Sequence, residues 1–183
     1  MSIRFFITLA LWVSGLTCSL IAQPTDDPVV NATFLVLDLE EVGEGSAVRL
    51  RQIGEFNEVL IEQTSQQTLL AQQQGNYNMI EVQLSGDANL VTAQQEGNHN
   101  NYELHLEGTD NRLQVVQDGE YNNLIQDFKR VEGLQIDVQQ TGNGNSLEMT
   151  ESDAGPMVLP LRIEQTGGMQ LIISNQTTPI IQQ

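Results

Sequence analysis

Amides are the side chains of this sequence whose type and spacing could do chemistry together. Gln52, Gln73, Gln95, Gln117, Gln140 and Gln165 recur once per repeat, and Asn57, Asn78, Asn100, Asn122, Asn145 and Gln170 each follow five residues behind. A carboxamide both donates and accepts, so copies set one above another can bond in a continuous ladder even when buried. Two further positions complete the unit. It opens at Ser46, Gln67, Asn89, Asn111, Leu134 and Leu159, and closes at Gln63, Leu84, Leu106, Phe128, Glu151 and Gln176. Successive openings lie 21, 22, 22, 23 and 25 residues apart. Such a period marks a stacked array in which each unit needs its neighbours to complete a core.

Catalytic chemistry is poorly provided for. His99 and His105 are the only histidines, the first in a turn and the second on an outward strand position. A metal site needs more ligands than these at tetrahedral reach. Glu40 and Glu41 sit on a polar face with no pocket-forming sequence around them, and the serines lack His and Asp partners. Gly142-Asn143-Gly144 is no phosphate loop, because no strand-to-helix pattern and no Lys-Ser follow it. The expectation is a protein that is not an enzyme and that uses no metal or cofactor.

The elements that must position the amides are strands. Val91, Ala93 and Gln95 alternate with polar residues, as do Asn100, Tyr102, Leu104 and Leu106, and period two is the strand signature. Gly54, Gly75, Gly97, Gly119, Gly142 and Gly167 each come two residues after the repeated Gln. Glycine at a fixed offset reads as a turn with positive φ, as do Gly86, Gly108, Gly133 and Gly155 in the links between repeats. Each repeat is therefore strand, tight turn, strand. The fold class is all-β: a β-solenoid of about six coils of roughly 22 residues, with two stacked sheets around a thin core. Leu50, Ala71, Ala93, Val115, Val138 and Ile163 form one apolar column, and Val59, Ile80, Tyr102, Leu124, Leu147 and Ile172 face it.

Composition agrees with a thin core. Aromatic residues make up 5% of the 183, and the net charge is -17. Phosphate binding needs clustered Lys and Arg, so nucleic acid is not an expected partner. The organisation reads as a signal peptide at 1–22, an N-terminal segment with a half-coil or cap at 23–45, repeats at 46–176, and a tail at 177–183. The leader pairs Arg4 with an apolar run that stops at Ala22 before a polar stretch. Cleavage after Ser19 is a second option, and Cys18 fits a lipid-attachment site poorly. Asp is concentrated in the middle repeats, at Asp87, Asp110, Asp118, Asp127 and Asp137, where it disfavours self-association.

At Ser46, Gln52, Asn57 and Gln63, with Gly54 two residues after the first Gln, the sequence resembles the curlin family, the secreted subunits of bacterial curli amyloid fibres. The segment Gly86-Asp87-Ala88-Asn89 is similar to the turns between curlin repeats, and the likeness runs over residues 46–176. The opening Ser and the closing Gln are often replaced here. The resemblance implies a chain secreted through an outer-membrane pore with accessory factors. It also implies polymerisation with itself, and with a second curlin-type subunit, into a cell-surface fibre (a fimbrium) of the biofilm matrix that serves adhesion. Whether the chain is the major or the nucleating subunit is open. A monomeric secreted β-solenoid that binds surfaces is the alternative.

Overall fold

The computed structural model describes residues 9–12, 22–23, 34–40, 47–62, 67–129, 131–152 and 160–174. Ser46, Gln63, Leu159 and Gln176 therefore lie outside the described residues, as do Cys18, Gly155 and the tail at 177–183. Every element described is a strand. Three precede the repeats: β1 (Leu9–Trp12), β2 (Ala22–Gln23) and β3 (Phe34–Glu40). The repeats then alternate between two faces. They give β4 (Ala47–Ile53), β5 (Glu58–Glu62), β6 (Thr68–Gln74), β7 (Met79–Glu81), β8 (Leu90–Asn98) and β9 (His105–Glu107). They continue with β10 (Arg112–Glu120), β11 (Asp127–Lys129), β12 (Gln135–Thr141), β13 (Ser146–Leu147), β14 (Leu161–Thr166) and β15 (Gln170–Leu171).

The chain is a β-solenoid. Its first face is one sheet in which β14, β12, β10, β8, β6 and β4 lie side by side in parallel, so the coil closes five full turns between its first and last strand. The register is in step: Gln52 faces Gln73, Gln73 faces Gln95, and Gln117 faces Gln140. Six coils of one continuous pair of sheets were expected, and the second face departs from that. It breaks into β1-β5-β7, β9-β11 and β13-β15. β9 and β11 lie further along the coil than β7 and β13, and their residues, His105, Leu106, Glu107, Asp127, Phe128 and Lys129, pair with φ between 63° and 118°, outside the ordinary pleated range. Single bonds such as Met79 N to Asn100 O (2.8 Å) and Asn123 N to Asn145 O (2.8 Å) still carry the second face from coil to coil.

The core lies between the faces, in columns one residue wide. Val48, Leu69, Val91, Leu113 and Ile136 stack in register, beside Leu50, Ala71, Ala93, Val115, Val138 and Ile163, and all are buried. Across from them run Val59, Ile80, Tyr102, Leu124 and Leu147. The last member of that column is Leu171, which pairs with Leu147, and not the expected Ile172, which is 72% exposed. The cause is a shortened turn: three residues separate Gln165 from Met169, which occupies the Asn place, whereas four separate Gln140 from Asn145.

The N-terminal end is built differently. β3 runs antiparallel to β4 over its whole length, from Phe34 opposite Ile53 to Glu40 opposite Ala47. The segment thus doubles back over the first coil and does not extend the spiral as a half-coil would. β2 adds two antiparallel residues outside β3, and β1 pairs in parallel with β5. Among the described residues, no strand pairs with the outer edge of β14.

Candidate functional site

The Gln column sits at the end of each first-face strand, where the chain turns toward the second face. Gln52 Nε2 donates to Gln73 Oε1 at 2.6 Å, and the row continues from Gln73 to Gln95 (2.9 Å), Gln117, Gln140 and Gln165 (2.8 Å each). All six are buried. The second amide hydrogen is used as well: Gln95 donates to Met79 O at 2.8 Å, Gln140 to Asn123 O at 2.8 Å and Gln165 to Ser146 O at 2.7 Å. Each such residue therefore ties its coil to the next and one face to the other. A buried amide left unpaired costs about 1–3 kcal/mol, so an unbroken row is the condition for having this column inside at all.

The Asn column closes the same turn. Asn78 Nδ2 donates to Asn57 Oδ1 (3.2 Å), Asn100 Nδ2 to Asn78 Oδ1 (3.1 Å) and Asn145 Nδ2 to Asn122 Oδ1 (3.0 Å). The backbone N–H of Asn78, Asn100, Asn122 and Asn145 donates to Oδ1 of Asn57, Asn78, Asn100 and Asn122 in turn, at 3.0–3.1 Å. The expected sixth member, Gln170, is exposed and has no place in the row; the Met169 N–H takes the Asn145 oxygen at 3.1 Å. At the opening position Asn89 and Asn111 form a side-chain pair, at 2.8 Å, and Leu134 N closes it at 2.9 Å. At the closing position Leu84, Leu106 and Phe128 are buried without amides.

Glycine is required at the turn for two reasons. Gly54, Gly75, Gly97 and Gly119 have φ of 112–128°, and a Cβ built on Gly97 would stand 1.9 Å from Gly119 O. The other turn glycines expected to have positive φ, Gly142 and Gly167, have it. Gly86 and Gly108 in the links do not, which corrects the expectation for both.

Sequence reasoning missed a column on the outside of this turn. Phe56, Tyr77, His99 and Tyr121 occupy the same place in four successive coils, two residues after the glycine, and each has φ of 56–57°. Their rings stack: centroids are 4.7 Å apart from Phe56 to Tyr77, 5.0 Å from Tyr77 to His99, and 4.8 Å from His99 to Tyr121, with planes within 10–17°. The signal was the pattern Gly-x-aromatic-Asn, hidden by its use of three residue types. Left-handed φ costs a bulky residue about 1–2 kcal/mol, whereas a stacked pair returns about 0.5–1.5 kcal/mol. Three pairs return about half of what four strained residues cost, so stacking alone does not account for these rings. The fifth coil builds the turn with Gly144 in that place.

Several polar groups stand apart from the two rows. The Tyr102 hydroxyl is pushed far above its ordinary pKa by burial, offset in part by the Gln126 amide beside it, yet neither group reaches hydrogen-bonding geometry. Glu151 is 2% exposed with Oε2 unpartnered, and burial raises its carboxyl. His105 lies half-exposed between Glu103 (3.4 Å) and Asp127 (3.9 Å). His99 is in the ring stack, and among the described residues no group of His, Cys, Asp and Glu is arranged to hold a metal ion.

Fold and ladders together define the class: a parallel β-solenoid held by two internal amide rows. Compared with protein-family models, curated proteins and solved structures, the chain matches none.

Proposed function

We propose that the chain is an extracellular structural subunit that self-assembles into curli-like amyloid fibres. The observation that supports this most is the first face. It is a parallel, in-register sheet with a Gln row running its full length, and it ends at β14 with an unpaired edge among the described residues. Such an edge is a template for another strand. Parallel in-register strands with amide rows are the features of cross-β assemblies. In this reading the leader directs secretion, the acidic surface holds the subunits apart until they meet an end, and the fibre serves adhesion within a matrix.

One observation favours the alternative of a monomeric surface-binding solenoid: antiparallel β3 covers the N-terminal edge of the first face. The two readings part in one experiment. The purified full chain is held at neutral pH and followed by sedimentation and fibre diffraction, with and without preformed seeds. Fibres with spacings of about 4.8 Å and 10 Å support the subunit. A chain that stays monomeric through seeding supports the surface-binding module.

A further inference from the structure

We propose that the outer side of the first face binds a second copy of this chain, face to face, about a twofold axis that runs along the stack over the Val115, Val138 and Ile163 column. Charge is divided unevenly between the two sides of the solenoid. The outward positions of the second face carry Glu58, Glu81, Glu103, Glu107, Asp127 and Glu148, with Lys129 the one basic residue there among those described. Four of the chain's seven basic residues, Arg49, Arg51, Arg112 and Arg162, point outward from the first face, where as many acids balance them. Repulsion from the net charge of -17 thus falls on the second face and leaves the first approachable.

The order of charges on the first face sets the axis. Val115, Val138 and Ile163 stand in one column. On β10, Arg112 lies three places before Val115 and Asp118 three places after it. On β14, Arg162 lies one place before Ile163 and Glu164 one place after it. A twofold axis along the column keeps each coil opposite its own copy and exchanges before with after. Arg112 then faces Asp118 of the second copy, Arg162 faces Glu164 of the second copy, and symmetry makes each contact twice. Arg112 and Asp118 are exposed and have no ion pair among the described residues, so both are free to take a partner. Arg162 already meets its own Glu164 at 2.6 Å and Asp137 at 3.9 Å, and the second copy turns that pair into a ring of alternating charges. Arg49 and Arg51 flank Leu50 with like charge, but each has a partner within its own chain. The other twofold, across the stack, sets Glu96 against Asp118 and Arg112 against Leu90, and so loses the complementarity.

The surface is large enough for a pair. Six strands about 4.8 Å apart and about 20 Å long present roughly 600 Å² per copy, or roughly 1,200 Å² in all, against the bound of about 1,000 Å² for a specific interface. Thr68, Leu70, Leu90, Thr92 and Gln94, all half-buried, fill it between the charges. Both copies point the same way along the stack, so pairing is independent of growth at the ends.

Sedimentation velocity of the full chain at rising concentration tests the pair. A face-to-face pair closes at two, whereas joining at the ends continues, so the dimer is distinguishable from the proposed fibre. Arg112→Glu and Asp118→Arg are each expected to weaken the dimer about tenfold or more, because each acts at two symmetric contacts. The chain carrying both exchanges is expected to recover to within about threefold of the parent, which also verifies that the single variants fold. Lys129→Glu makes the same change of net charge as Arg112→Glu but on the second face, and is expected to leave the dimer unchanged. A parent chain that shows no closed dimer would overturn the proposal. So would equal dimerisation of parent and Arg112→Glu, or a loss in Lys129→Glu as large as in Arg112→Glu. A double exchange as weak as the single ones would overturn the axis along the stack.

Discussion

Single residues carry this fold through backbone approach and buried amides. Gly97 and Gly133 both have positive φ, but a Cβ would collide with Gly119 O at the first and would meet nothing within 4 Å at the second. Gly97→Ala is therefore expected to destabilise by more than about 3 kcal/mol, and Gly133→Ala by about 1 kcal/mol. Urea unfolding of the two variants checks the order, and equal losses would remove the close-approach argument. Glu151 gives a pH dependence. Burial raises its carboxyl above the ordinary 4.5, so the folded chain holds that proton more tightly than the unfolded chain. Below 4.5 both states are protonated and the penalty is absent; as pH climbs through the raised value the buried carboxylate must ionise, and stability falls. Glu151→Gln should unfold at higher urea than the parent at neutral pH, with the gap closing in acid. A gap that widens in acid would reverse the sign. The repeated Gln, Asn and Gly were legible because identity recurs at a fixed offset. The ring comb was not, because stacking selects flatness, which Phe, Tyr and His share without sharing a letter.

At the level of strands and turns, the first face was readable from alternation alone, and its columns fall in the expected register from Leu50 to Ile163. The last coil misled by a single residue. Its Gln165-to-Met169 turn is one shorter, so counting by the spacing of the other coils put Gln170 and Ile172 inside when they are outside. Apolar character could not flag the slip, since Leu171 and Ile172 are neighbours of equal hydrophobicity. Met169 itself ends the Asn row at a position 45% exposed. Met169→Asn is expected to continue the row and to stabilise by about 0.5–1 kcal/mol, read as a small rise in thermal midpoint. A fall would mean that the shortened turn cannot present an amide. The unusual backbone of the second face was equally hidden, for positive φ at Leu106 and Phe128 has no counterpart in propensity.

At the scale of the whole molecule, the two ends differ. β3 seals one edge in antiparallel register, placing Leu37 opposite Leu50 and Leu39 opposite Val48, while β14 leaves the other edge unpaired among the described residues. Leu35, Leu37 and Leu39 alternate along β3 as in any strand, but alternation is the same in either orientation, and so the reversal could not be read. If the chain assembles as proposed, a version beginning at residue 44 should do so with a shorter lag than the full chain at equal concentration. A longer lag would make β3 part of the growing contact instead of a cover over it. The amide rows add a rule about joining. Every Gln hands its hydrogen forward along the chain, from Gln52 to Gln165, while every Asn oxygen takes its hydrogen from the coil ahead. The solenoid is thus an arrow in its side chains as well as in its backbone. Two tails brought together would set NH2 against NH2 at Gln165, and two heads, once β3 has moved off Gln52, would set oxygen against oxygen. Any joint that keeps the Gln row whole must be made point to tail, so a chain of such molecules would have a direction that each member already contains.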